Sequence, residues 1–154
     1  MFSFDNDLKA LVESPVAVVV GTTNAEKRPH AIYAWGPRVL EDMRSMQVFI
    51  EVPRASEVLQ NLEATGVIAV TIADPITYRS LQFKGRFRSA APAEEADLAC
   101  VQRHREGFAS VLSVIGDPRQ VIENAWMQCG LIRIEFEIDR AYDQTPGPEA
   151  GRPL

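Results

Sequence analysis

Residues 78–89 read Tyr-Arg-Ser-Leu-Gln-Phe-Lys-Gly-Arg-Phe-Arg-Ser, and their alternation decides the fold. Leu81, Phe83 and Phe87 take one face, while Ser80, Gln82, Lys84, Arg86 and Arg88 take the other. Successive side chains of a strand point to opposite sides, so this is a β-strand with one buried and one wet face. Residues 131–139 repeat the pattern, with Ile132, Ile134, Phe136 and Ile138 inward and Arg133, Glu135 and Glu137 outward.

Outward from these two strands the same grammar continues. Residues 15–22 (PVAVVVGT) and 67–73 (VIAVTIA) are Val-rich runs of strand length, and 29–36 (PHAIYAWG) and 45–52 complete a set of six. Short helices are expected at 5–13 and 56–65, the second with Ser56 as N-cap, Leu59 and Leu62 inward and Gly66 as its stop. A long helix is expected at 94–115, with Leu98, Val101, Phe108, Leu112 and Ile115 as its apolar stripe. Asp117, Pro118 and Gln120 then restart a helix through a capping box.

Helices after only some of the strands do not fit parallel crossovers. The reading is therefore mainly β, a six-stranded antiparallel barrel with flanking helices spanning 1–143 as one domain. Residues 144–154, with three prolines and two glycines, are expected as an extended arm. A barrel this narrow is filled by its own side chains, which pushes any site to the outer strand faces or a subunit boundary.

Net charge is −5, which argues against a nucleic-acid partner. No apolar run approaches the roughly 20 residues that span a bilayer, and no signal peptide is read at the start, so the expectation is a cytoplasmic protein without a membrane partner. Cys100 and Cys129 suggest no disulfide framework. Cys100 and His104 stand at i, i+4, but two ligands without a third leave the metal expectation at none. His104, among Arg103, Arg105 and Glu106, is expected to be exposed, and His30 to border a turn or an interface.

The common enzyme motifs for nucleotides, nucleophilic serine and zinc are absent, and no catalytic residue is assigned. A combination remains. Arg54 and Ser56 precede or open a helix, whose N-terminal amides and partial positive charge suit a phosphate. Arg79, Ser80, Gln82 and Lys84 put donors on one strand, and Tyr33 and Trp35 share a strand face where a planar ring could stack. Phosphate donors, amide donors and flat aromatics together suit a flavin mononucleotide.

Four segments taken in order carry a resemblance: 16–34 (VAVVVGTTNAEKRPHAIYA), 46–62 (MQVFIEVPRASEVLQNL), 78–88 (YRSLQFKGRFR) and 132–142 (IRIEFEIDRAY). In this order the chain resembles the pyridoxamine 5′-phosphate oxidase-like, FMN-binding split-barrel superfamily. The resemblance implies a homodimer with two FMN sites at its interface. It places Ile50, Glu51 and Val52 beside the isoalloxazine, Arg54 and Ser56 at the phosphate, and Ser80 and Gln82 on the strand that reaches the flavin. Two departures stand out. Glu57 and Val58 occupy the places of a basic pair that clamps the phosphate in family members, so Arg79 of a partner is a candidate substitute. The late Arg-x-His segment of the named oxidases is missing, so their substrate is not expected.

Three functions are open at this point. The first is an FMN-dependent oxidoreductase acting on a small molecule, with NAD(P)H as candidate electron donor. The second is a non-catalytic module that holds flavin, haem or another planar ligand. The third is a cofactor-free dimeric scaffold.

Overall fold

The computed structural model describes residues 1–124 and 126–154. Its strands are β1 (Ala17–Thr23), β2 (Pro29–Tyr33), β3 (Trp35–Val39), β4 (Ser45–Glu51), β5 (Val67–Ala73), β6 (Ser80–Pro92), β7 (Leu131–Asp143) and the two-residue β8 (Arg152–Pro153). The helices are α1 (Asn6–Val12), α2 (Ala55–Thr65), α3 (Glu95–Val114) and α4 (Arg119–Glu123).

The antiparallel sheet runs β2-β1-β5-β6-β7-β4-β3, with β8 on β7. Seven strands replace the expected six because the second one breaks. Tyr33 pairs with Val19 of β1, whereas Trp35 pairs with Phe49 of β4. Between them Ala34 donates its N–H to Val18 O at 3.0 Å. The first and last strands of the sheet are thus consecutive in the chain, and this carries the sheet round into a barrel.

The alternating stretches fill the interior. Val18 and Val20 of β1, Val70 and Ile72 of β5, Leu81 and Phe83 of β6, and Ile134 and Phe136 of β7 are all buried in one cluster. Val12 of α1 and Ala55, Val58 and Leu62 of α2 enter the same core. This accounts for one anomaly of the sequence: Val58 faces inward and is a packing residue.

Every residue of β4 is buried, because both of its faces are covered. Met46, Val48 and Ile50 face the barrel, while Phe49 joins Trp35, Val101, Ala109, Trp126 and Leu131 in a second cluster beneath α3. The face of α3 differs from the expected stripe: Leu98 and Ile115 are exposed, and Asp97, Val101, His104, Arg105 and Ala109 are buried. Glu94 and Asp97 form a capping box at its start. The tail turns back through Gly147 and Gly151, both at positive φ, so that Arg152 and Pro153 pair with Asp143 and Tyr142.

Candidate functional site

α3 and Trp126 cover the outside of the barrel over β3 and β4, and the outer face of β2-β1-β5-β6 has no such cover among the described residues. That face carries a groove of about 450 Å³, within the range of small-molecule sites. Its floor follows from the strand register. Ala31 of β2 pairs with Gly21 of β1, Gly21 with Ala69 of β5, Ala69 with Lys84 of β6, and Lys84 with Arg140 of β7. At the usual strand spacing this row spans about 19 Å. Three small residues make a flat bed, and two cations stand at its far end.

The cations that line the groove on β6 are differently engaged. Arg86 pairs with Asp139 at 3.4 Å, whereas Lys84 Nζ lies over the Tyr142 ring at 5.2 Å. At the opposite end His30 lines the groove and its Nδ1 lies 3.2 Å from Glu57 Oε2 in the first turn of α2. The acid that stood out in the sequence therefore has a partner.

The residues singled out from sequence fall in several places. Gln82 lines the groove and donates from Nε2 to Thr71 Oγ1 at 3.2 Å. Tyr33 is exposed, but Trp35 is buried beyond the break at Ala34, so the two do not share a face. Trp35 packs edge-on against His104, Phe108 and Trp126 instead. Ile50 is core, and Val52 is exposed. Ser56 is not the N-cap of α2: Arg54 holds that position without a side-chain cap bond, and Ser56 Oγ accepts from Gln60 at 3.2 Å. Arg54 is exposed with Nε 3.6 Å from Glu51 Oε2. Arg79 is exposed at the β5–β6 turn, and Ser80 N–H donates to Thr145 Oγ1 at 3.1 Å.

Glu51 is buried, and its carboxylate accepts from Arg105 at 3.0 Å and from Met127 N–H at 2.8 Å. The Arg105 guanidinium lies over both Trp35 and Trp126, at 4.8 and 5.6 Å. Sequence reasoning had no means to find this clamp, because Glu51 sits at a strand end and Arg105 among charged helix residues.

His104 is buried, against the expectation of an exposed side chain. Its Nδ1 accepts from Gly36 N–H at 3.1 Å, so the ring proton is on Nε2, which donates to Val16 O at 2.9 Å. With both nitrogens engaged it cannot ligate a metal alongside Cys100. Burial, helped by the nearby Arg105 charge, pushes its pKa down to about 4. The ring is neutral in the fold and binds a proton more readily when unfolded. Its contribution is therefore complete above about pH 6.5 and is lost as pH falls toward 4. The shift corresponds to about 3 kcal/mol. The urea midpoint is expected to fall across that window, and His104→Gln to flatten the dependence. Carboxylates held low act in a more acidic range, such as Asp97, where hydrogen bonds from Glu94 N–H, Arg38 and Arg133 outweigh the cost of burial.

No helix among the described residues is long and apolar enough to cross a membrane. No family model and no curated protein sequence matches the chain. Solved structures do match it in shape. HupZ of Group A Streptococcus aligns over 96% of this chain and 99% of its own, at 14% identity and a TM-score of 0.58. An FMN-binding protein from Syntrophomonas wolfei covers 90% and 87%, at 10% identity and TM-score 0.52. A protein from Clostridium acetobutylicum, related to general stress protein 26 of the pyridoxinephosphate oxidase family, covers 91% and 87%, at 12% identity and TM-score 0.51. With its curled antiparallel sheet and flanking helices, the chain has the fold of the pyridoxamine 5′-phosphate oxidase-like, FMN-binding split-barrel proteins.

Proposed function

We propose that this chain is an FMN-binding protein that works as a homodimer and carries out oxidoreduction on a small molecule. The observation that carries the reading is the outer-face groove. A flat bed of Ala31, Gly21 and Ala69 suits a planar ring, and Lys84 and Arg140 at its end suit a phosphate. Bound flavin would supply the hydride and electron chemistry, with NAD(P)H as electron donor. The chain's own residues bind and orient. Gln82 lines the groove with its amide N–H tied to Thr71, which leaves its carbonyl oxygen free to accept from a bound ring. Lys84 and Arg140 supply charge-assisted bonds to the anionic end.

The same face supports pairing. Val19, Gly21, Val67, Ala69 and Thr71 are only half-buried in a single chain, and a second copy laid over them would enclose the groove and exclude water. The fold's FMN-binding relative from Syntrophomonas wolfei supports the flavin part of the reading.

Titration of FMN followed by flavin fluorescence tests it. Lys84→Ala and Arg140→Ala are each expected to weaken binding about tenfold, the loss of one charge-assisted bond. Unchanged affinity in both variants would remove the groove from consideration.

A further inference from the structure

We infer that the groove's ligand continues past its phosphate into a second pocket, which takes the adenine half of a flavin adenine dinucleotide. The inference rests on the groove being the flavin site. A notch of about 290 Å³ adjoins the groove, and Asp139 and Arg140 line both. Its other walls include Phe2, Tyr142, Pro153 and Leu154.

Strand pairing explains why the notch is there. β4 runs beside β7 as far as Ser45 opposite Glu137, and β8 takes up the same margin only at Pro153 opposite Tyr142. Ile138 N–H still reaches Arg44 O, and Leu154 N–H reaches Ala141 O, so the gap falls at Asp139 and Arg140. Arg140 and Tyr142 pair with Lys84 and Gln82, which puts both on the wet face that carries the groove. Lys84 Nζ lies 5.2 Å from the centre of the Tyr142 ring, so the cation at the groove's end also borders the notch. Phe2 closes the notch from the core side, its ring 6.1 Å from that of Phe83. Asp139 is held by Arg86 at 3.4 Å, which leaves Lys84 and Arg140 for an anion.

A phosphate at Lys84 and Arg140 thus stands between two surfaces, a flat bed of small residues and a notch with aromatic walls. A molecule that fills both carries a planar ring on each side of a phosphate bridge, which is the plan of a dinucleotide. Aromatic side chains suit the flat face of a base. With the isoalloxazine on the bed, the ring left for the notch is adenine.

Calorimetric titration with FMN and with flavin adenine dinucleotide tests this. The dinucleotide is expected to bind about tenfold more tightly, the gain from one stacked base. Leu154→Trp places an indole on the notch wall at an exposed position, where folding is undisturbed. It is expected to bring the dinucleotide down to the affinity of FMN and to leave FMN at its wild-type affinity. Equal affinity of the two flavins for the wild type overturns the inference, and so does a preference that survives Leu154→Trp. If neither flavin binds, the flavin reading itself falls, and ADP then decides the notch. ADP binding that is lost in Leu154→Trp keeps the adenine pocket, and any other result removes it.

Discussion

Gly85→Ala is expected to destabilise the protein by about 3 kcal/mol or to prevent its folding, the heavier end of overpacking costs. A Cβ at position 85 would stand 1.9 Å from Glu137 O and 2.9 Å from Glu137 C. Those are backbone atoms of the paired strand and cannot swing aside as a side chain would. The register shows why the approach is so close. Lys84 pairs with Arg140 but Gly85 pairs with Ile138, so β7 carries an extra residue opposite the step between them. Such a bulge sharpens the bend of the sheet, and this one lies beside Lys84 at the end of the groove. Gly21→Ala is the control, because its Cβ would meet Ala69 O at an ordinary 3.7 Å. Its cost should stay below about 1 kcal/mol. Urea unfolding of both variants measures the difference, and equal midpoints would contradict the bulge argument.

Arg105→Met is expected to cost about 3–5 kcal/mol, because it strands the buried carboxylate of Glu51. The 3.0 Å bond from Arg105 and the two indoles around its guanidinium would go together. Only Met127 N–H and the more distant Arg54 would remain for Glu51. The pair itself is less valuable than its disruption suggests. Arg105 Nε has no hydrogen-bond partner among the described residues, so the charge is incompletely satisfied. Adding Glu51→Leu to Arg105→Met is therefore expected to restore most of the loss. If the double variant is as unstable as the single one, packing rather than stranded charge sets the cost. Tryptophan fluorescence reports the same event, since Trp35 and Trp126 flank the guanidinium.

The two alternating stretches at 78–89 and 131–139 were enough to announce the barrel, because a period of two in side-chain polarity has one cheap explanation. The break at Ala34 was not legible. Residues 30–35 hold no turn residue, and only the competing pairings of Tyr33 with Val19 and Trp35 with Phe49 force the strand to change partners. Separating Tyr33 from Trp35 followed from that break.

His104 was misjudged from its charged neighbours, although helical spacing held the signal: it stands at i+3 from Val101 and i−4 from Phe108, on the inner side of α3. The groove was half legible. Gln82 and Lys84 were visible as donors on the wet face of β6, but Gly21, Ala31 and Ala69 become a floor only through register across three strands. Glu57 looked like a repulsive misfit in one dimension, and its partner His30 arrives from another strand.

In the proposed function a flavin lies on the bed of Ala31, Gly21 and Ala69. Isothermal titration of FMN into the wild type and into Ala69→Trp, whose indole would fill the middle of the bed, tests it most directly. The expected result is one FMN per chain for the wild type and no measurable binding for Ala69→Trp, with unchanged circular dichroism. Undiminished binding to a folded Ala69→Trp would contradict it.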